Sequence, residues 1–317
     1  MSSIGTSSSA STLLARPASV RRGLLSDATR RAIRKFRQSP LSLVGLGIVV
    51  LLVLVAIVGP FFVPYPNDAS GAVHIKERLL PPSGAHWFGT DHVGRDILSR
   101  LVIGARTSLL AGVLVIVMAV IIGTVLGALA GYLGGWVETV IMRVTDVFLT
   151  IPDLILAMAF AAALGPGLTN VMIAVSLVWW PGYCRLARAN VIALRNAQFA
   201  EAAASLGSSR RRILFRHILP NAFPTLLVKA SMDVGFAVLT TAALGFIGLG
   251  TQPPTPDWGQ MVSEGRKYLR DAWWYSTFPG IAILLTALSL NLIASWARAV
   301  TDPVTRWRYL GARKAET

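Results

Sequence analysis

Residues 41–63 read LSLVGLGIVVLLVLVAIVGPFFV and contain no charged side chain. A helix needs about 20 apolar residues to cross the hydrocarbon core of a bilayer, so this stretch is long enough to do so. It is about twice as long as the apolar part of a secretory signal, and no small-residue cleavage pattern follows it. We therefore interpret residues 39–64 as a retained first transmembrane helix.

The rest of the chain repeats this pattern. Of its 317 residues, 54% are hydrophobic and only 14% are charged, and the mean hydropathy is +0.59, which is unlike an ordinary soluble protein. Four further charge-free stretches occupy residues 107–130, 154–184, 234–256 and 272–297. The second of them contains the turn signal Gly165-Pro166-Gly167, so we divide it there and extend its first half back to Val140. The sequence predicts an all-α membrane protein with six transmembrane helices.

The positive charges are distributed unevenly between the two sides that this topology creates. The formal net charge is +15. With a cytoplasmic N-terminus, the inside segments 1–40, 131–140, 185–222 and 298–317 hold 20 Lys and Arg against 5 Asp and Glu, whereas the outside segments 64–100 and 251–271 hold 7 against 7. This is the positive-inside pattern, and it predicts that both termini are cytoplasmic. A nucleic-acid-binding protein would not separate its basic clusters by membrane-length apolar stretches.

These patterns divide the chain into five segments. They are a basic, disordered cytoplasmic tail (1–38), the first transmembrane helix (39–64), an outer loop (65–100), a five-helix core with a long cytoplasmic loop (101–302, loop 185–222) and a cytoplasmic tail (303–317). In the outer loop we expect Asp91 to cap a short helix that lies along the outer surface as far as Leu101.

The third span contains charged residues near its cytoplasmic end. Arg143 and Asp146 are three residues apart, so they share a helix face and can neutralise each other. A structural ion pair is preferred here over a direct role in transport. Pro152 is expected to bend this span.

The cytoplasmic loop 185–222 has the order of a helix, a glycine turn and a second helix. Residues 198–206 form a short amphipathic pattern that contains Glu201-Ala202-Ala203, with Phe199 and Leu206 as apolar contacts. Gly207 can end this helix in a left-handed conformation. Ser208 and Ser209 can cap a second helix, which Pro220 and Pro224 are expected to stop at the membrane. The loop could be an ordinary connection, or it could dock a cytoplasmic partner in a groove.

Three segments of the chain resemble a known family. Glu201-Ala202-Ala203, Gly207 and Leu219-Pro220 resemble the EAA loop of permease subunits of binding-protein-dependent ABC importers, although His217 stands where that loop usually has Ile. Two other segments resemble the C-type subunit of the dipeptide, oligopeptide and nickel branch: residues 89–109, with GTDHVGRD, and residues 244–259, with LGFIGLG. The resemblance covers residues 39–302.

The resemblance implies a type I ABC importer permease architecture in a prokaryotic plasma (inner) membrane. It implies that the loop docks on an ATP-binding subunit, chiefly through Glu201 and Gly207, with Ala202, Ala203, Phe199 and Leu206 beside them. The implied partners are membrane lipid, a second related permease, two ATP-binding subunits that hold ATP and Mg, and an external substrate-binding protein. Six residues are structural or translocation candidates: Arg143, Asp146, Pro152, Gly245, Gly248 and Gly250.

The residues favour no catalytic function. The chain lacks the phosphate-binding pattern Gly-x-x-x-x-Gly-Lys-Ser/Thr, so we expect no cofactor on it and place the energy source elsewhere. His74, His86, His92 and Asp91 match no zinc spacing. A secondary transporter driven by an ion gradient remains an alternative, although neither midmembrane charges nor repeats are evident. We expect di- or oligopeptides as cargo, with glutathione and nickel as alternatives.

Overall fold

The computed structural model describes residues 39–301, and the side chains of residues 39–295. The predicted tails 1–38 and 303–317 lie outside the described residues. Ten α-helices occupy the described part: α1 (Pro40–Val58), α2 (Ile97–Leu133), α3 (Gly135–Thr150), α4 (Asp153–Leu164), α5 (Leu168–Arg195), α6 (Gln198–Ser205), α7 (Arg210–Ile213), α8 (Leu219–Ile247), α9 (Trp258–Gly265) and α10 (Trp274–Thr301). A single π-helical turn, Leu214–Ile218, joins α7 to α8.

The long helices form a bundle with two distinct ends. One, which we call the loop end, contains residues 131–135 and 195–218, and the other, the cap end, contains residues 62–96 and 248–273. Through α1, α2, α3 with α4, α5, α7 with α8, and α10, the described chain runs between these ends six times. This path agrees with the six predicted crossings.

Fewer than six of the described helices meet the length and apolarity that a membrane span needs. Four helical stretches between residues 39 and 301 are long and apolar enough to cross a membrane, and the bent pair of α3 and α4 makes a fifth. The remaining crossing is α5, which has 28 residues but includes Asn170, Trp179 and Arg185. α5 packs against α2, α3, α4 and α8. Because so much of its surface contacts protein, it needs less apolar character towards lipid.

Glycines lie along the most extensive helix–helix contact in the bundle, that between α2 and α5. Gly123, Gly127 and Gly131 recur every four residues on α2 and face the backbone of α5. A Cβ atom added at Gly127 would lie 2.3 Å from the carbonyl oxygen of Cys184, and one at Gly131 would lie 2.8 Å from that of Arg188. Only residues without a side chain permit this approach, as the spacing predicts.

Pro152 separates α3 from α4, and the two helices meet at 96°. This confirms the predicted bend. Proline lacks an N–H group and disfavours helical geometry in the residue before it, and Ile151 is accordingly extended, with φ −96° and ψ 134°.

Two predicted helix boundaries differ from the structure. No separate surface helix is capped by Asp91. Instead, Asp96 accepts a hydrogen bond from the backbone N–H of Ser99 and begins α2, which continues for 37 residues. Pro220 likewise does not stop a helix. It lies just after the π turn, in the first turn of α8, and Pro224 is accommodated within the helix.

We predict that Gly127→Ala destabilises the bundle by about 1–3 kcal/mol, because the added methyl group overpacks the contact between α2 and α5. Gly47→Ala is the matched control, since no atom lies within 4 Å of its added Cβ. The control should be neutral or stabilise α1 by up to about 1 kcal/mol. Thermal unfolding of the purified variants in the same detergent measures both, and equal melting temperatures would contradict the packing argument.

Candidate coupling site and transport cleft

The helix α6 contacts the loop end of the bundle through its small residues. Ala200 is buried against Ala128 of α2 and Val191 of α5, within a cluster that also contains Ile213, Leu214 and Ile218. Ala203 packs on the edge of the same cluster. The small side chains at positions 200 and 203 therefore form the inner face of α6, and the loop is packed as part of the bundle.

A neighbouring face of α6 is apolar and exposed. Phe199, Ala202 and Leu206 follow the i, i+3, i+7 spacing of one helix stripe, and Leu206 is 88% exposed. Glu201 is also exposed, on the side of α6 away from Phe199. An unpartnered apolar stripe on a short helix is the arrangement that helix-in-groove recognition uses.

Gly207 closes α6 in the conformation that the sequence predicts. Its φ is +80°, and its N–H donates to the carbonyl of Ala204 while the N–H of Ser208 donates to that of Ala203. These two hydrogen bonds together form a Schellman C-cap. The Ser209 hydroxyl then accepts from the N–H of Arg212 at 3.4 Å and begins α7. Through the π turn, α7 continues into α8 without interruption, so the loop joins a membrane helix directly.

A cleft of about 510 Å³ opens on the bundle surface between α3, α4, α5 and α8. Most of its wall is apolar, and three charged residues line it: Asp153, Lys229 and Asp233. Lys229 Nζ lies 2.7 Å from Asp233 Oδ2, and the Tyr183 hydroxyl donates to the same oxygen at 2.7 Å. This pair was not predicted, because it lies just before the charge-free stretch 234–256, although the i, i+4 spacing of its two charges indicates it.

The predicted ion pair of Arg143 with Asp146 is wrong. Asp146 pairs with Arg185 of α5 at 2.6 Å, and both side chains are about half exposed. A second pair, Glu138 with Arg188, joins the same two helices. Arg143 and Asp146 share a shallow cleft with these residues. The spacing of residues along one helix does not show that Arg185, on a neighbouring helix, pairs with Asp146 instead.

The glycines at 245, 248 and 250 build the turn at the cap end of α8. Gly248 has φ +97° and caps the helix, and the Cα of Gly245 lies 2.7 Å from where a Cβ of Gly250 would be. Asp257 lies against Gly245 and caps α9. Burial raises the pKa of Asp257, while donors from the Ser108 hydroxyl and three backbone amides act in the opposite direction. The three glycines thus have a packing role here.

The chain is similar to a known family of membrane proteins. Residues 123–307 match the family described as binding-protein-dependent transport system inner membrane component. The chain belongs to this family. Residues 28–82 match the N-terminal transmembrane domain of oligopeptide transport permease C, which makes the chain a C-type permease subunit. Such permeases are transport subunits and not enzymes, and they work with ATPase and binding-protein partners.

Individual relatives agree with this assignment. The probable D,D-dipeptide transport system permease of Escherichia coli K12 is 48% identical over 266 residues, covering 84% of this chain and 88% of the relative. The dipeptide transport system permease of Alkalihalophilus pseudofirmus is 42% identical (86% and 89%), and the glutathione transport system permease of Salmonella typhimurium is 44% identical (85% and 88%).

A solved structure supports the fold. The inward-facing methionine ABC transporter MetNI aligns with a TM-score of 0.52 at 18% identity, over 65% of this chain and 98% of the solved chain. At this identity the match concerns the fold alone. The predicted type I permease architecture in a multi-pass membrane protein is confirmed.

The cap end of the permease is organised by buried charges. Asp91 is fully buried, accepts from the Arg95 guanidinium at 2.6 Å and lies 3.7 Å from Arg100 Nε. Arg100, also fully buried, donates to the carbonyl of Asp68 at 3.1 Å. This network fastens residues 68–96 to the first turns of α2, because each buried charge needs its partners.

The cap-end histidines take part in separate hydrogen bonds. His74 contacts Asp68 at 3.1 Å, His86 contacts Asp96 at 3.0 Å, and His92 contacts the Tyr275 hydroxyl at 3.1 Å. Among the residues that the structure describes, no three His, Cys, Asp or Glu side chains are grouped to hold a metal ion. His86 and His92 therefore join residues 62–96 to α2 and α10, while the contact of His74 lies within that segment.

We predict that Asp91→Asn lowers the stability of the permease by about 3–5 kcal/mol, because it removes the nearest counter-charge of two buried arginines. Asp146→Asn makes the same chemical change at an exposed pair and should cost about 0–1 kcal/mol. Thermal unfolding at one pH and salt concentration compares the two variants. A loss for Asp91→Asn no larger than that of Asp146→Asn would show that the buried network is not stabilising.

Proposed function

We propose that this permease forms one half of the membrane pathway of an ATP-driven importer of di- or oligopeptides. Its family membership supports import with a binding protein, and the relatives named for dipeptide and D,D-dipeptide transport support the cargo. The glutathione permease relative supports a second candidate, a modified tripeptide of the same chemical class. Family membership also argues against a carrier driven by an ion gradient alone.

In this proposal the complete transporter contains a second, related permease and two ATP-binding subunits. One chain of this architecture cannot enclose a pathway by itself. ATP and Mg bind to the ATPase subunits, and an external protein delivers the peptide. The excess of basic residues in segments 1–40, 185–222 and 298–317 supports a cytoplasmic location for both termini and for the loop end.

The exposed stripe of α6 is the proposed contact with an ATPase subunit. Phe199, Ala202 and Leu206 would enter an apolar groove, and Glu201, which is exposed on another side of the helix, would meet a polar partner outside it. The inner face of α6 packs on α2 and α5, so a movement of the ATPase would reach the bundle without being absorbed in a flexible loop.

Uptake of labelled peptides tests the cargo. Cells that lack this chain should lose uptake of labelled dialanine and regain it when the chain is restored. Labelled glutathione and nickel are supplied in parallel. If the restored chain supported uptake of nickel or glutathione but not of dialanine, that compound would replace di- and oligopeptides as the proposed cargo.

Substitution of the stripe tests the docking surface. We predict that Leu206→Ser reduces peptide-stimulated ATP hydrolysis by the reconstituted transporter about tenfold, as expected when a central apolar contact is lost. The matched control is Leu133→Ser, which alters an exposed leucine outside the stripe. Copurification of the ATPase subunits is measured on the same samples. If Leu206→Ser retained both assembly and stimulation, α6 would not be the docking element.

A further inference from the structure

The charges in the cleft are more accessible than a purely structural ion pair requires. The side chain of Lys229 is 34% exposed and that of Asp233 is 17% exposed. The Lys229 ammonium group lies 4.9 Å from the centre of the Tyr183 ring, which adds a cation–π contact. Gly182 has no side chain beside Lys229, and a Cβ there would meet Lys229 Cε at 3.5 Å. The lysine thus has room to change its position and stays in contact with the cleft.

A third charged residue in the cleft has no ion-pair partner among the described residues. Asp153 lines the cleft, is exposed, and forms no ion pair with any described residue. The cleft therefore contains one ammonium group and two carboxylates, only one of which Lys229 neutralises. Charges in membrane-spanning segments are costly, and they commonly mark the path of a polar substrate.

The wall of the cleft complements these charges. Leu149, Leu154, Phe236 and Leu239 contribute apolar surface around the three charged groups. A mostly apolar cleft with a few convergent polar groups is the usual form of a small-molecule site, and about 510 Å³ lies in the usual size range. A short peptide matches this cleft, because it has an ammonium and a carboxylate group at its ends and side chains between them.

We propose that Lys229, Asp233 and Asp153 form a binding site for the charged termini of a short peptide as it crosses the membrane. Lys229 contacts the peptide carboxylate, and the two aspartates contact the peptide ammonium group. The Tyr183 hydroxyl holds Asp233 in place while Lys229 exchanges one carboxylate for another. This inference rests on the proposed peptide cargo and adds the residues that would recognise it.

Protection of a cleft cysteine from alkylation tests the site directly. Thr240 lines the cleft, and the natural Cys184 is buried. In the complete transporter in nanodiscs, without the binding protein, dialanine should slow maleimide labelling of Thr240→Cys, whereas N-acetyl-dialanine amide should not. Leu227→Cys, on the same helix but outside the cleft, should be labelled at the same rate with or without peptide. Equal protection by both peptides would overturn recognition of the termini.

Replacing the charges separates binding from structure. In Lys229→Met with Asp233→Leu the pair becomes apolar, a change that a purely structural pair often tolerates. We expect this variant to copurify with its partners but to lose the protection of Thr240→Cys by dialanine. Dipeptide uptake should fall about tenfold, which corresponds to the loss of roughly one charged contact. Full protection and uptake would reduce the pair to a structural role.

Asp153→Asn tests the site without changing the pair of Lys229 and Asp233. Because Asp153 is exposed and has no ion-pair partner among the described residues, the variant should fold normally and weaken protection by dialanine. Unchanged protection would remove Asp153 from the site. Wild-type transporter that takes up no peptide even with its binding protein would overturn the proposed function and this inference together. Wild-type peptide uptake without protection of Thr240→Cys would overturn this inference alone.

Discussion

The close approach of α2 and α5 is the contact on which the rest of the structure depends. Gly123, Gly127 and Gly131 bring the backbone of α2 against the carbonyls of α5, where no side chain larger than hydrogen fits. In a membrane, helices gain little from burying apolar surface against each other, so dense packing of small residues provides much of the association. The other long helices are then arranged around this pair, with α4 and α8 against α5 and α10 against α8.

This contact also determines how the loop end is built. The last turns of α2 and α5 create the surface on which Ala200, Ile213 and Ile218 are buried. The short helix α6 could not remain folded alone at eight residues, because helices of this length are marginal in water. Its packing on the bundle and its Schellman cap provide the stability that a helix of eight residues lacks by itself. The same packing leaves one face free, and that face is where a partner can bind.

The sequence predicted the features that depend on local chemistry. The apolar lengths, the glycine repeat, the bend at Pro152 and the turn at Gly207 follow from properties of single residues or short periods. The features that it did not predict depend on neighbours that are distant in sequence. Asp146 pairs with Arg185 rather than Arg143, and Asp91 meets arginines inside a buried network rather than capping a helix. Periodicity along one helix contains no information about the helix beside it.

The boundary missed at Pro220 has the greatest consequence for function. A stop at this proline would separate the cytoplasmic loop from the membrane span, whereas the structure continues from Arg210 to Ile247 through one π turn. Lys229 lies eleven residues beyond Ile218, which is about 16 Å along a helix. In the proposed importer, a displacement of α6 by the ATPase would therefore shift one end of the helix that lines the cleft. The coupling helix α6 is joined by the turn at Gly207 to the continuous helical segment that carries Lys229 and Asp233, so movement of α6 would change the geometry of the cleft.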